Sequence, residues 1–257
     1  MYGAIAGDMI GSIYEFHPIK DEDFPLWNTR CYFTDDTVLT TAVACALMTD
    51  GDYACSIRQF ALRYPRAGYG GFFRRWMHSE EMGPYNSFGN GSAMRVSPVG
   101  WAFDTEAEVL REAERSAAVT HNHPEGIKGA QSVALAILRA RQGVGKEDIR
   151  KEMTERFGYD LSRTLAEIRP AYRFDETCQG SVPEALTAFF ESISLEDAIR
   201  KAISLGGDAD TLACITGGVA EAYYGPLPPE LLSGVKQRLS PDLLQVMEEF
   251  YQKYSPQ

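Results

Sequence analysis

The sequence predicts an all-α protein, one domain over 1–257. Two observations lead there. Apolar residues recur at helical spacing nearly throughout, and alternating apolar–polar runs long enough for a strand are absent. There is also no repeat, low-complexity stretch or linker to divide the 257 residues, a length sufficient for one large core.

The elements follow in order. Residues 2–14 place Gly3, Gly7 and Gly11 at i, i+4 and i+8, a smooth helix face for close backbone approach. Residues 35–49 carry Val38, Leu39, Ala42, Val43, Ala46 and Leu47 on a second apolar helix. Helices are expected at 52–63, 105–119 and 124–142; the last alternates Ile127, Val133, Leu135 and Leu138 with small residues, which marks it as central. Others are expected at 146–157, 182–192, 195–204, 210–223, 229–238 and 241–254. Asp104-Thr105 and Ser194 supply N-caps, and Ser240-Pro241 opens the final helix with proline in its first turn. Segments 15–34, 64–100 and 169–181 hold most of the glycine, proline and aromatic residues and read as loops, where sites are often carried.

Composition bounds the function. The apolar fraction, 44%, is that of an ordinary globular protein. A net charge of −11, from 36 acidic and 25 basic residues, argues against nonspecific binding to nucleic acid or an anionic membrane. An anionic small substrate is compatible with it, because a bound metal reverses the local sign. Cys31, Cys45, Cys55, Cys178 and Cys214 are odd in number and lack CxxC spacing, so free thiols in a reducing compartment are expected. Asp8 interrupts the apolar N-terminal stretch, no basic n-region precedes it, and no apolar run reaches membrane-span length. The reading is a cytoplasmic protein, monomeric and with no membrane association.

Two acidic clusters near opposite ends carry the chemistry: Phe33-Thr34-Asp35-Asp36-Thr37 and Gly206-Gly207-Asp208-Ala209-Asp210-Thr211. Each places two carboxylates beside threonine hydroxyls where a helix begins. Taken singly, each also reads as a helix cap with acidic first-turn residues, favoured by the helix dipole. Taken together, four aspartates repel one another unless a cation lies between them. Oxygen ligands without His or Cys suit Mg²⁺, Mn²⁺ or Ca²⁺ better than Zn²⁺. Four aspartates suffice for two ions that orient an attacking water. The all-α isoprenoid synthases also use acidic helical pairs, but their DDxxD pattern needs a third Asp where this chain has Leu39.

Several other residues attract attention. Glu15 follows the glycine-faced helix, either as a solvated acid or as a site residue. Ala67-Gly68-Tyr69-Gly70-Gly71 and Asn86-Ser87-Phe88-Gly89-Asn90-Gly91-Ser92-Ala93-Met94-Arg95 are glycine-rich, suited to simple turns or to cradling phosphate with backbone N–H groups. Neither is a GxxxxGK(S/T) loop, so nucleoside-triphosphate hydrolysis is disfavoured. His121-Asn122-His123-Pro124 opens the central helix without a third metal ligand nearby, which favours capping or substrate contact. No GxSxG is present to support acyl transfer.

The ordered set Gly7-Asp8-Met9-Ile10-Gly11, Glu15, Phe33 to Thr37, Gly89 to Arg95, Thr120-His121 and Gly206 to Thr211 resembles the ADP-ribosylglycohydrolase family from residue 3 to about 225. The resemblance implies a compact orthogonal helical fold with a binuclear Mg²⁺ or Mn²⁺ centre. Its ligands would be Thr34, Asp35, Asp36, Asp208, Asp210 and Thr211. ADP-ribose would lie over the metals. Gly68, Tyr69, Gly70 and Gly71, with Ser87, Phe88, Gly89, Asn90, Gly91 and Met94, would contact its diphosphate and terminal ribose. His121 would stand on the substrate side, and Gly180, within Cys178 to Val182, would border the adenine. The substrate would be an ADP-ribosylated protein or a small ADP-ribosyl conjugate.

Cleavage at the anomeric carbon builds oxocarbenium character, which a carboxylate can stabilise while another acts as base. Glu15 and the metal-bound Asp36 are the candidates for that work, and the sequence leaves open which activates water. Phe88 lacks the hydroxyl that some relatives carry, and Asn86 gives no counterpart of the extra acid in some arginine-specific members. The chain is also short for the family. The competing reading is a catalytically weak ADP-ribose-binding or crystallin-like structural member.

Overall fold

The structure is a computed structural model and describes residues 1–254, which form fifteen helices and, among the described residues, no sheet. In chain order these are α1 (Tyr2–Gly11), α2 (Asp35–Met48), α3 (Tyr53–Arg63), α4 (Gly71–Met77), α5 (Gly91–Met94), α6 (Ser97–Ala102), α7 (Glu106–Ala118) and α8 (Pro124–Arg141). There follow α9 (Lys146–Phe157), α10 (Leu165–Ile168), α11 (Cys178–Glu191), α12 (Leu195–Ser204), α13 (Ala209–Tyr224), α14 (Pro229–Lys236) and α15 (Pro241–Tyr254). The single β contact among the described residues is an isolated antiparallel bridge between Gly89 and Thr177.

The glycine face of α1 decides the architecture. A Cβ placed on Gly7 would lie 2.0 Å from the Ala213 carbonyl oxygen. One on Gly3 would lie 2.3 Å from the Gly217 oxygen, and one on Gly11 2.5 Å from the Asp210 Cα. These are backbone atoms that cannot swing aside, so α1 and α13 approach to a distance that only glycine permits. Every residue of α1 is buried, and so are the first thirteen of α13, Ala209 to Glu221. Around this pair pack α12, α11 and α8, while α2 packs on α3, α6 and α15. The core is one contiguous cluster in which Val133 to Leu138 of α8 are almost fully buried, in line with the central place its sequence pattern gives it.

Local chemistry sets the helix ends. Thr34, Thr105, Thr177 and Ser194 each accept a backbone N–H in the first turn of the helix they open. Three boundaries differ from the sequence reading. First, α1 stops at Gly11, because the Ser12 hydroxyl turns back to the Met9 carbonyl; Glu15 therefore stands on a turn beyond the helix. Second, α11 starts at Cys178, four residues before the expected 182, with Pro183 inside it; Thr177 supplies the cap and is itself held by Asp175. Third, 64–100 contains α4, α5 and the start of α6, and 165–168 adds α10, all too short to show an apolar period. All five cysteines are free; Cys31, Cys178 and Cys214 are buried, Cys45 is half-buried and Cys55 is exposed.

Candidate active site

Because α1 lies directly on α13, the end of one helix meets the start of the other, and the N-terminus of α2 closes the third side. Asp8, fully buried on α1, is the hub. Its Oδ1 accepts from the Thr34 hydroxyl at 2.7 Å. Its Oδ2 accepts from the backbone N–H groups of Thr34 at 3.0 Å and Thr37 at 3.1 Å, and also from the Thr37 hydroxyl. This one carboxylate therefore holds the first turn of α2 in place, and with it Asp35 and Asp36.

Asp36 points inward. Its Oδ2 accepts from the Thr211 hydroxyl at 3.3 Å, which joins the two ends of the sequence, while its Oδ1 is buried without any hydrogen-bond partner among the described residues. Carboxylate oxygens of Asp8, Asp36 and Asp210 lie within 4.8 Å of one another, and so do those of Glu15, Asp208 and Asp210. Asp210 is common to both groups. Asp208 starts α13 but makes no side-chain cap; its Oδ2 instead accepts from the Asn90 amide at 2.7 Å. Simple capping thus accounts for Thr34 and leaves the aspartates unexplained.

Asp35 belongs to neither triad. It is half-buried, its backbone N–H donates to the Ala67 carbonyl at 2.7 Å, and its Oδ1 lies 3.0 Å from where a Cβ of Gly68 would be. Gly68, at φ +116°, adopts a backbone that favours glycine on both counts.

The electrostatics follow from this crowding. Burial pushes the Asp8 and Asp208 carboxyls up to about 6. Burial, followed by repulsion from neighbouring carboxylates, drives Asp35, Asp36 and Asp210 well above their ordinary range. Glu15, half-buried, is pushed up to about 8 by burial first and by Asp210 and Asp8 next. The formal charges acting on Glu15, Asp36 and Asp210 are all negative, so the site as built from protein alone is short of positive charge.

The remaining predicted residues divide. Asn90 connects the glycine-rich loop to the acidic centre, its amide reaching both Asp208 and the Ser181 hydroxyl at 3.1 Å. Ser87 accepts from the Gly89 N–H at 3.1 Å and shapes the turn. Phe88 is exposed, edge-on to His123 at 5.3 Å between ring centroids. His121 is buried, with its Nε2 3.1 Å from a Cβ placed on Gly91 and 3.5 Å from one on Gly89. His123 caps α8 through Nδ1. Gly70 and Gly71 are exposed with open space where a side chain would go.

Two side chains, Tyr69 and Met94, are buried away from solvent. The Tyr69 ring is buried and stacked on Phe73, which leaves its backbone for any contact. Met94 is buried beneath the acidic centre, its sulfur 3.9 Å from the Thr211 hydroxyl. Gly180 is half-buried, and a Cβ there would meet the Asp175 carboxylate at 2.0 Å.

Asp8 stands in the quoted N-terminal motif, yet the sequence reading gives it no role in the acidic centre. Its signal was present: among residues 2–14 it is the one charge in an apolar stretch, and a buried charge needs a reason.

Comparison with known proteins identifies the family. A family model described as ADP-ribosylglycohydrolase matches residues 1–257. The chain is similar to ADP-ribosylhydrolase ARH3 of Mus musculus, at 28% identity with 87% of this chain and 82% of that one covered. It is also similar to ADP-ribosylarginine hydrolase Tri1 of Pseudomonas putida, at 24% identity with 91% and 72% covered. A solved structure titled ADP-ribosylglycohydrolase-related protein complex superimposes with a TM-score of 0.75 at 25% identity, over 98% of this chain and 95% of that one. The all-α fold, the ordered motifs and a match over the full length place this chain in the ADP-ribosylglycohydrolase family, among enzymes of the glycohydrolase class.

Proposed function

We propose that this protein hydrolyses the glycosidic bond joining ADP-ribose to a protein side chain or a small conjugate, with two Mg²⁺ or Mn²⁺ ions held between its acidic clusters. The observation that carries the reading is the buried, unpartnered Oδ1 of Asp36, a member of the triad that shares Asp210 with the second one. A buried carboxylate oxygen with no donor is costly, and surrounding it with further carboxylates is costlier still. A divalent cation removes both costs, and the oxygen-only donor set fits a hard ion.

Thr34, Asp35, Asp36, Asp208, Asp210 and Thr211 would hold the ions, with Asp8 holding Thr34 in position. Bound ions would orient the terminal ribose hydroxyls and supply the Lewis acidity that activates a water. The chain's own part is proton transfer and positioning. Glu15, half-buried within 4.8 Å of the Asp208 and Asp210 carboxylates, is placed to hold a proton for the departing atom. Once ionised, it can take a proton from the incoming water. Asp36 is the other candidate for that base. Asn90, with Ser87 to Gly91, would position the sugar and diphosphate against these carboxyls.

Thermal melts with Mg²⁺, Mn²⁺ and ADP-ribose, followed by turnover of arginine-, serine- and acetyl-linked ADP-ribose, test the reading. Stabilisation by metal and by ADP-ribose with turnover on at least one linkage is expected. Stabilisation without turnover on any of them would leave a binding protein instead of an enzyme.

A further inference from the structure

Arg95 is fully buried, yet two of its three guanidinium nitrogens, Nε and Nη1, have no partner among the described residues. The third, Nη2, donates to the Ser116 carbonyl at 2.8 Å and to the Thr120 hydroxyl oxygen at 2.9 Å. The Thr120 oxygen in turn lies 2.7 Å from His121 Nδ1. That is the one hydrogen bond of the His121 ring among the described residues, and its far nitrogen, Nε2, faces Gly89 and Gly91.

The directions in this chain are constrained. A guanidinium has only protons to give, so Thr120 must accept from Arg95. The hydroxyl's single proton is then available for its nearest acceptor, His121 Nδ1, in preference to the nearby Tyr85 hydroxyl, which carries a proton of its own. A neutral imidazole that accepts at Nδ1 carries its proton on Nε2. We infer that Arg95 and Thr120 are positioning residues that fix His121 as the Nε2–H tautomer, presenting a hydrogen-bond donor to an anionic or hydroxyl-bearing ligand at the Gly89–Gly91 loop. Burial, and then the Arg95 charge, hold the imidazolium form of His121 well below its ordinary range, which keeps the ring neutral. Tyr85, half-buried, lies alongside, its ring centroid 6.1 Å from that of His121. Cys178 and Tyr85 are the acidic groups nearest Arg95, and both are held protonated by burial. The arrangement also explains a fully buried arginine without a carboxylate: its charge acts through a neutral hydroxyl, so the histidine is oriented without being ionised.

The identity of the ligand rests on the proposed function; the tautomer does not. The test is the ¹⁵N spectrum of the imidazoles in the full chain at neutral pH, with His121→Gln used to assign the His121 signals. The wild type is expected to show a protonated Nε2 and an unprotonated Nδ1. Thr120→Val, which keeps the shape and removes the hydroxyl, should release Nδ1 and bring in a population of the other tautomer. Thr120→Ser should restore the wild-type pattern. A wild type protonated at Nδ1 overturns the inference, and so does a Thr120→Val spectrum identical to wild type. Should Thr120→Val fail to fold, the wild-type and Thr120→Ser spectra still decide: both must show the Nε2–H form.

Binding of ADP-ribose provides a second arm. Affinity should fall about tenfold in Thr120→Val and recover in Thr120→Ser, the scale of one hydrogen bond to a charged group. An affinity unchanged in Thr120→Val would count against the donor role. A wild type with the expected tautomer but no affinity for ADP-ribose would sink the proposed function and leave the Arg95–Thr120–His121 inference standing.

Discussion

Replacing Asp208 by asparagine should make the metal-free protein more stable and the metal-loaded protein less so. Asp208 is buried, and its carboxyl is raised from 3.8 to about 6. At about 1.4 kcal/mol per pH unit, that shift means the ionised carboxylate costs the folded state about 3 kcal/mol at neutral pH. The sign follows from proton counting. Between the unfolded value and about 6, the folded protein binds more protons, so metal-free stability falls as pH rises through that window and then levels off. The Asp208→Asn variant would have no such slope from this position. The new side chain's carbonyl could still accept from Asn90, and its NH₂ would face Asp210 as a donor. For a chain of this size about 3 kcal/mol corresponds to a rise of about 5–10 °C in melting temperature.

With metal the order reverses. A cation at about a thousand times its dissociation constant stabilises the folded protein by about 4 kcal/mol, more than the about 3 kcal/mol the substitution gains, and loss of one ligand removes nearly all of that. The assay is thermal unfolding of both proteins over the range from about pH 4 to about pH 8, in EDTA and in excess Mg²⁺ or Mn²⁺. A variant that melts lower than wild type in EDTA, yet rises as far as wild type with metal, would refute the view that these carboxylates repel and await a cation.

Three further outcomes are expected. Glu15→Gln should lower kcat by about 10²–10⁴ while ADP-ribose affinity, read by calorimetry, stays within a few-fold; unaltered turnover would remove Glu15 from the chemistry. Gly7→Ala should destabilise by about 1–3 kcal/mol or more, since its Cβ meets the Ala213 carbonyl oxygen at 2.0 Å. It should also blunt the metal-induced rise in melting temperature, because α1 carries Asp8; a normal metal response in a destabilised variant would separate the helix contact from the site. Thr37→Val removes a hydroxyl that donates to Asp8 and should cost about 2 kcal/mol at neutral pH in EDTA. The cost should shrink at about pH 4, where Asp8 is protonated in the fold, and a deficit independent of pH would mean that the hydroxyl serves packing alone.

Legibility from sequence tracks the length over which a pattern repeats. The long helices α2, α7, α8 and α13 show several turns of apolar spacing, and the caps Thr105 and Ser194 are visible because a short polar side chain precedes an acidic first turn. The four-residue α5 and α10 have no room for a period, and α4 begins on glycine, which ordinarily signals a turn. Pro183 misleads in another way. Proline favours a first turn, so the sequence places the helix start beside it; a cap at Thr177, itself held by Asp175, starts the helix a full turn earlier. Of the site, the two acidic clusters are legible because each is contiguous. Their partners Asn90 and His121 become visible only through the family resemblance, since a turn-forming loop and a helix-opening histidine have ordinary explanations.

Asp8 shows why a contiguous motif gives an incomplete account of such a centre. Its four donors all come from Thr34 and Thr37, so it acts as the anchor of α2 while its charge still bears on Asp36 and Asp210. The Thr34 hydroxyl that donates to Asp8 at 2.7 Å also accepts the Asp36 N–H at 3.3 Å, which aims Asp36 toward Thr211. A chain of contacts thus runs from the glycine face of α1, through Asp8 and Thr34, to the unpartnered oxygen of Asp36. Each step consumes the polar groups of the step before, and only the last leaves an acceptor free. The helix packing and the open coordination position are therefore one arrangement: α1 lies against α13 so that Asp8 reaches α2, and Asp8 takes up the Thr34 and Thr37 donors while Asp36 Oδ1 is left without one.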